Sequence, residues 1–429
     1  MTEAPVIVIG GGLAGCEAAW ALAQRGIDVE LFEMRPGTAT PAHRTGDLAE
    51  LVCSNSFRGA APHQAPGLLK EEMRRLGSLV MQAAAAAEVP AGGALAVDRE
   101  LFSSWITERI AAHPRITLRR ERVDALPETG DVIVATGPLT DAALQADLER
   151  RLGSSALAFY DAIAPVVTRD SIDWEHAYLK DRWQDDTTGA AYVNCPLDRA
   201  TYERFVARIL EGPFVPYKAF EENIRHFEGC LPIEEMAARG IDTLRHGPMK
   251  PVGLKHPETG ELPWAVVQLR PDNRAQILLN LVGFQTKMTW DAQKDAFRMI
   301  PALRNATFVR LGSMHRNTFI DSPRLLNADL SWRSDPRIRF AGQMTGVEGY
   351  IESAVSGLIA GLATAAARLG EPFAPPPPET ATGALLHYIS DPVVDPFQPM
   401  NINFGLFPPL QLADGKRPPK GRARRALYA

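Results

Sequence analysis

Two of the four cysteines in this 429-residue sequence lie where a thiol could become a nucleophile. Cys53 lies in the polar stretch ELVCSNSFRGA, close to Arg58, and Cys230 comes two residues before Pro232, at the predicted start of a helix. A nearby arginine or a helix N-terminus lowers the pKa of a thiol and favours the nucleophilic thiolate. These features leave two roles open for each residue, a nucleophile or a buried structural cysteine.

The other two cysteines are expected to be structural. Cys16 follows a glycine-rich segment on a predicted helix, and Cys195 ends a predicted core strand. None of the four forms a C-x-x-C pair or a Cys/His cluster with zinc-ligand spacing. We therefore expect neither a disulfide scaffold nor a metal site.

A glycine-rich turn near the N-terminus has the pattern of a phosphate cradle. Residues 10–15 read GGGLAG, after the β-branched run Val6–Ile9 and before a helix-forming stretch. In a dinucleotide-binding unit the first glycine permits the turn, the second admits the pyrophosphate, and the third lets the helix pack on its strand. Glu33 stands where an acid that binds the ribose is expected. The predicted cofactor-binding residues of this unit are Gly10, Gly11, Gly12, Leu13, Ala14, Gly15 and Glu33.

A second strand–turn–helix signal lies far downstream. Residues 338–341 form a predicted strand, followed at 342–361 by GQMTGVEGYIESAVSGLIAG, a glycine-rich turn with a helix of small residues. It adds Gly342, Gln343 and Gly346 to the candidate cofactor-binding residues. Because both signals suit one dinucleotide, the cofactor domain is predicted to contain both ends of the chain.

The middle of the chain has a different character. Predicted strands such as WAVVQLR and AQILLNLVGF alternate there with amphipathic helices such as ATYERFVARIL. We therefore expect an α/β fold, with a doubly wound Rossmann-like cofactor domain interrupted by an inserted α/β domain. The predicted limits are 1–165 and 310–429 for the two parts of the cofactor domain and 166–309 for the insertion. The last 14 residues, KRPPKGRARRALYA, form a basic tail.

The charge balance limits how a nucleic acid could bind. Lys and Arg total 46 against 51 Asp and Glu, a net charge of -5, so a polyanion would have to be held by local patches. Glu17 and several glycines interrupt the apolar stretch near the N-terminus, which argues against a membrane span. We expect a cytoplasmic protein that does not cross a membrane.

Nine segments of the sequence resemble the folate- and FAD-dependent tRNA (uracil-5-)-methyltransferase family. They span nearly the whole chain and read GGGLAGCEAAW, CSNSFRG, VPAGGALAVDR, FEGCLPIEEMA, RHGPMKPVGL, NLVGFQTKMTW, MHRNTFI, FAGQMTGVEGYIESAVSG and FQPMNINFGLFPPL. The glycine motif is shared with many flavoproteins, whereas CSNSFRG, FEGCLPIEEMA and GVEGYIESA are more specific.

This resemblance implies an enzyme that makes 5-methyluridine in the T-loop of tRNA. The carbon donor would be 5,10-methylenetetrahydrofolate, and FAD reduced by NADH or NADPH would supply the hydride. Uracil C5 is a poor nucleophile until a thiolate adds at C6. By motif match Cys230 is that nucleophile, Cys53 is a second thiol beside the flavin, and Tyr350 is an aromatic residue at the flavin ring.

Binding of a folded tRNA requires positive charge near the pocket. Arg58 and Lys250 are predicted to bind the substrate, together with Arg245 and His246 of the insertion. The basic tail is a further candidate, although its charges could also be merely solvated; these residues are Lys416, Arg417, Lys420, Arg422, Arg424 and Arg425.

Three other functions are alternatives to this one. The first is flavin- and folate-dependent modification of another RNA uridine, at the wobble position of tRNA or in ribosomal RNA. The second, a pyridine-nucleotide disulfide reductase, would require a C-x-x-C pair and a second Rossmann unit, which the sequence lacks. The third, a non-catalytic carrier, is disfavoured by the intact glycine turn and by Glu33.

Overall fold

The structure is a computed structural model that describes residues 4–40, 42–153, 156–182, 189–215, 231–273, 275–394, 397–410 and 428. For residues 156–163 and 313–318 it describes the backbone. Within these ranges the chain forms two six-stranded sheets, a three-stranded sheet and a two-stranded ribbon.

The first sheet draws strands from both ends of the chain. In spatial order they are β16 (Ser331–Trp332), β17 (Asp335–Phe340), β7 (Val132–Val134), β1 (Val6–Ile9), β2 (Val29–Phe32) and β6 (Ile116–Arg119). All neighbours pair in parallel except β16 and β17. From β1 the chain runs outward through β2 and β6 on one side and through β7 and β17 on the other, so the topological switch point lies beside β1. The predicted doubly wound α/β fold is confirmed.

Eight helices accompany this sheet. They are α1 (Leu13–Gln24), α2 (Ala65–Arg75), α3 (Leu79–Ala86), α4 (Arg99–Ala111), α5 (Ala142–Leu152), α10 (Ser322–Leu325), α11 (Tyr350–Leu369) and α12 (Ala381–Ser390). Helices α1 and α11 pack backbone against backbone: a Cβ atom at Gly357 would lie 2.0 Å from the carbonyl oxygen of Ala14, and one at Gly361 would lie 2.7 Å from that of Ala18. Small residues therefore join the two ends of the chain at this contact.

Helix α11 is long and apolar enough to be a candidate membrane span, yet 78% of its apolar window is buried inside the structure. A helix that is apolar on most faces and covered by protein has the pattern of a core helix.

The second sheet is antiparallel. In spatial order its strands are β10 (Tyr178–Leu179), β11 (Val193–Leu197), β12 (Ala265–Pro271), β13 (Leu278–Leu281), β9 (Val166–Thr168) and β14 (Phe308–Arg310). Its helices are α6 (Arg199–Glu211), α7 (Ile233–Ala238), α8 (Thr243–His246) and α9 (Trp290–Phe297). Phe205, Phe284 and Phe297 are fully buried in a core separate from that of the first sheet. Since a unit with its own core can form a domain, we propose residues 166–309 as the inserted unit.

Two features join the units. An antiparallel ribbon pairs β8 (Ala156–Ile163) with β15 (Ser313–Ile320). The small sheet of β3 (Ser56–Gly59), β5 (Ala94–Val97) and β4 (Glu88–Val89) lies beside the end of β12, where buried Asn55 donates hydrogen bonds to the carbonyl oxygens of Val97 at 3.0 Å and Pro271 at 2.9 Å. The polar loop that contains Cys53 therefore lies where the two units meet.

Candidate active site

The glycine turn lies at the switch point of the first sheet. Gly10 has φ +106°, and a Cβ atom there would lie 2.5 Å from the carbonyl oxygen of Ala135. A Cβ atom at Gly15 would lie 1.8 Å from the carbonyl oxygen of Gly10, whereas one at Gly12 would meet no atom within 4 Å. Gly10 and Gly15 are thus required for chain packing, and Gly12 leaves open space in front of the turn.

Glu33 closes this turn from the end of β2. Its Oε2 accepts a hydrogen bond from the Gly11 N–H, and its Oε1 accepts from both the backbone N–H and the Nε of Arg35, each at 2.9 Å. Burial alone raises the pKa of this carboxyl, but the hydrogen bonds and charge of Arg35 outweigh it and leave the pKa below its usual value. Glu33 is therefore an ionised and fixed acceptor.

A cleft with about 1060 Å³ of free space, counted with the solvent at its mouth, opens in front of the turn. Nine of the predicted cofactor residues line it: Gly10, Gly11, Gly12, Leu13, Ala14, Glu33, Gly342, Gln343 and Tyr350. Gly15 and Gly346 do not; a Cβ atom at Gly346 would lie 2.3 Å from the ring of Phe397, so this glycine permits packing. No side chain of the described residues caps the N-terminus of α1, which leaves its N–H groups for an anion. These residues fit a dinucleotide.

A second cleft continues from the first and runs between the two units. Its free space is about 1190 Å³, counted in the same way. Cys53, Ser54 and Arg58 line it on the side of the first unit, and Arg270 and Asn280 line it on the insertion. The two clefts share Val52, Pro138, Leu139, Gln343 and Tyr350. A cofactor in the first cleft and a substrate in the second would therefore meet beside Cys53.

Tyr350 lies at the junction of the two clefts. Its hydroxyl oxygen accepts hydrogen bonds from the backbone N–H groups of Cys53 at 2.8 Å and Ser54 at 3.0 Å. Its ring packs edge-on against Phe57, with centroids 5.9 Å apart. Burial, followed by the neighbouring Cys53, raises the pKa of the hydroxyl. Stacking on a flavin ring stays a prediction, while the hydrogen bonds give Tyr350 a role that sequence reasoning missed, since it holds the Cys53 loop.

This contact leads to a test. Tyr350→Phe leaves two backbone N–H groups without their acceptor and lets the Cys53 loop shift, so we expect about 10- to 100-fold slower turnover of the substrate with FAD retained. Tyr388→Phe is the matched control, because its hydroxyl donates to the Gln398 carbonyl oxygen at 2.8 Å, away from both clefts. Initial rates and flavin absorbance measure both effects; equal rates for Tyr350→Phe and the wild type would contradict this role.

Two arginines that sequence reasoning did not single out bind the backbone carbonyl oxygens of the same loop. Arg99 donates to the carbonyl oxygens of Leu51 at 2.9 Å and Cys53 at 3.4 Å. Arg310 donates to those of Val52 at 3.1 Å and Cys53 at 3.2 Å. Burial and then the charge of Arg99 lower the pKa of Arg310 to about 10, so Arg310 remains a cation near pH 7. Arg99 is the last residue of the segment VPAGGALAVDR, and Arg310 lies outside the nine segments. Their contacts with this loop join residues that are distant in sequence, so no local signal pointed to them.

Arg58 lines the second cleft, and one of its guanidinium nitrogens pairs with buried Glu352. Its strand is fixed by Lys70, whose Nζ donates to the carbonyl oxygens of Phe57 at 2.8 Å and Gly59 at 2.7 Å. Burial and then the charge of Arg58 lower the pKa of Lys70 to about 7. Arg58 is therefore held in place at the cleft, where substrate binding stays a prediction.

Other predicted residues are not brought to these clefts. Cys230 and the basic tail cluster (Lys416, Arg417, Lys420, Arg422, Arg424 and Arg425) lie outside the described residues. Lys250 is exposed in the loop after α8 and lines neither cleft. Arg245 lies over the ring of Trp264, 3.7 Å from its centroid. Substrate binding by Lys250 would require an RNA that extends outside both clefts.

The sheet is doubly wound, a glycine-lined cleft lies at its switch point, and a fixed acid follows β2. These features define a dinucleotide-binding protein of the FAD-binding Rossmann-like class. The family model "Glucose inhibited division protein A" matches residues 5–372. The solved structure of GidA from Aquifex aeolicus in its form II crystal has a TM-score of 0.68 at 17% identity, over 91% of this chain and 68% of that one, which supports the fold.

Curated relatives are more similar in sequence. The "Methylenetetrahydrofolate--tRNA-(uracil-5-)-methyltransferase TrmFO" of Geobacter sulfurreducens is 57% identical over 98% of this chain and 97% of its own. The protein of the same name from Rhizorhabdus wittichii is 56% identical over 98% and 95%. The chain therefore belongs to the glucose inhibited division protein A family, within its branch of methylenetetrahydrofolate–tRNA-(uracil-5-)-methyltransferases.

Proposed function

We propose that this protein is a tRNA methyltransferase that forms 5-methyluridine in the T-loop, with 5,10-methylenetetrahydrofolate as the carbon donor. The observation that carries this function is the identity of 56 to 57% with relatives of that name over nearly the full length of both chains. These names specify uracil-5 methylation of tRNA, and none of them favours the wobble-uridine or ribosomal-RNA alternative. The joined clefts support the proposal, because the reaction requires a cofactor and a substrate to meet beside a thiol.

FAD is the cofactor that the first cleft would hold. The backbone at Gly12 and the open N-terminus of α1 would receive its pyrophosphate, and Glu33 would accept from a ribose hydroxyl. When bound, FAD supplies the hydride that converts a transferred methylene into a methyl group. NADH or NADPH as the reductant and a cytoplasmic location belong to this proposal as well.

The thiols belong to the second cleft in this proposal. Cys53 lines the cleft, and its backbone is held on both sides, by Tyr350 at its N–H and by Arg99 and Arg310 at its carbonyl oxygen. We assign it the second thiol of the reaction.

Cys230 is the proposed nucleophile that adds to uracil C6. The N–H of Ile233, three residues later, donates to the carbonyl oxygen of Gln285 at 2.7 Å, and Gln285 lines the second cleft. This hydrogen bond ties the described chain that follows Cys230 in sequence to a residue of the second cleft, which supports the proposal.

The decisive experiment measures transfer of label from methylene-labelled tetrahydrofolate into an unmodified tRNA transcript, with NADH and NADPH in parallel. We expect label in the wild-type transcript and none when cytidine replaces the T-loop target uridine. A protein that holds reducible FAD and labels neither transcript would contradict this function and favour another RNA uridine as the target.

A further inference from the structure

Two polar side chains of the insertion face the second cleft from adjacent strands. Arg270 on β12 and Asn280 on β13 are register partners, so they lie side by side on one face of the sheet. Both line the cleft, and both are buried, with 6% and 3% of their surface exposed.

Within the part of the chain that the structure describes, each of them has a donor without an acceptor. Among the described residues, the Nε of Arg270 and the Nδ2 of Asn280 have no hydrogen-bond partner. Arg270 uses one Nη to donate to Ser54 Oγ at 2.9 Å and Asn55 Oδ1 at 3.0 Å, and no carboxylate of the described part of the chain lies within 4.0 Å of its guanidinium. Buried donors are nearly always paired, so two idle donors and an unneutralised charge in one cleft indicate a ligand rich in acceptors.

We propose that Arg270 and Asn280 bind a carbonyl oxygen of the target uracil and stabilise its negative charge during the reaction. This inference rests on the proposed function. When a thiolate adds to C6, a C–S bond forms, the C5–C6 π pair moves toward C4, and the charge settles on O4 as an enolate; no atom leaves and no proton moves. Preorganised donors that face this oxygen act as an oxyanion hole.

The position of the pair favours uracil over the other rings of the reaction. Through Ser54, the Arg270 guanidinium lies one residue from Cys53. It lines the second cleft, whereas the glycine turn lines the first. The same donors would disfavour cytosine, because its C4 carries an amino group where uracil carries an oxygen. The pteridine ring of folate and the isoalloxazine ring of FAD also carry carbonyl oxygens, so the experiment has to distinguish binding of uracil from binding of either of these rings.

Asn280→Leu is the informative variant, because it removes the idle amide and keeps the branching and the number of heavy atoms of the side chain. We expect kcat/KM for the tRNA transcript to fall about 100-fold and the covalent protein adduct with a 5-fluorouridine transcript to form more slowly. FAD content, the flavin spectrum and the KM for folate should stay unchanged. The Tm should stay equal or rise, because an unpaired buried polar group is lost.

Asn327→Leu is the matched control. Its amide donates to Ser331 Oγ at 3.0 Å and it lines neither cleft, so this change should lower the Tm and leave kcat/KM unchanged. If the wild type methylates the transcript and the Asn280→Leu enzyme has the same kcat/KM, the role of Arg270 and Asn280 is contradicted, while the proposed function still stands. Altered FAD content would show that Arg270 and Asn280 bind the flavin, and a raised KM for folate alone would show that they bind folate. Either result would also overturn the inference that they bind uracil. A wild type that labels no transcript would overturn the proposed function as well.

Discussion

Cys53→Ala should lower methylation of a tRNA transcript by about 10³-fold or more while the protein keeps its FAD, because a reacting thiol is lost and little else changes. The structure explains why the loop should survive: Tyr350, Arg99 and Arg310 hold the backbone N–H and carbonyl oxygen of Cys53. Alanine retains both groups. The measurement is single-turnover label transfer beside flavin absorbance.

Cys195→Ala is the matched control for this variant. Cys195 is fully buried in β11, and burial raises the pKa of its thiol well above the usual range, which makes it unreactive. We expect full activity with a small loss of stability. Cys230→Ala should abolish the uridine-linked intermediate. Comparison of Cys53→Ala with Cys230→Ala therefore separates the roles of the two proposed thiols. Wild-type rates in the Cys53→Ala enzyme would remove Cys53 from the reaction.

Gly12→Val should yield a folded protein without FAD. A Cβ atom at Gly12 would meet no protein atom within 4 Å, so the valine side chain would fill the space where the backbone is exposed to the pyrophosphate. The expected result is a colourless protein with a wild-type circular dichroism spectrum and no activity.

Two other glycines provide the comparison. Gly93→Val is the control, because a Cβ atom there also meets nothing within 4 Å but the residue lines neither cleft, so this variant should stay yellow. Gly15→Ala should fail differently, through loss of folded protein, because its Cβ atom would collide with the backbone at Gly10. A yellow, active Gly12→Val enzyme would contradict the placement of FAD at this turn.

Sequence reasoning succeeded where structure depends on neighbours in the chain. The strand, turn and helix of residues 6–24 and the acid at Glu33 form one local unit, so spacing alone predicts them. Boundaries were less accurate. The predicted strand AQILLNLVGF covers 275–284, whereas β13 is only Leu278–Leu281, partly because Gly283, with φ +78°, turns the chain.

The site was harder to predict because its contacts are distant in sequence. Motifs pointed to Cys53 and Tyr350 separately, but the hydrogen bond that joins them depends on the packing of α11 beside the loop. Arg270 and Asn280 become neighbours only through the register of β12 and β13, which no local pattern encodes. Lys250, chosen for its charge and its motif, is exposed outside both clefts because charge alone does not locate a pocket.

The backbone contact between α1 and α11 also sets an order of events during synthesis. The glycine turn and α1 leave the ribosome early. The second part of the chain emerges later, and it carries the packing surface for α1 and the cleft residues Gly342, Gln343 and Tyr350. At cellular translation rates, the chain between Gln24 and Tyr350 takes roughly 15 to 65 s to make. The insertion therefore has time to fold first, and capture of the flavin is the closing event of biogenesis.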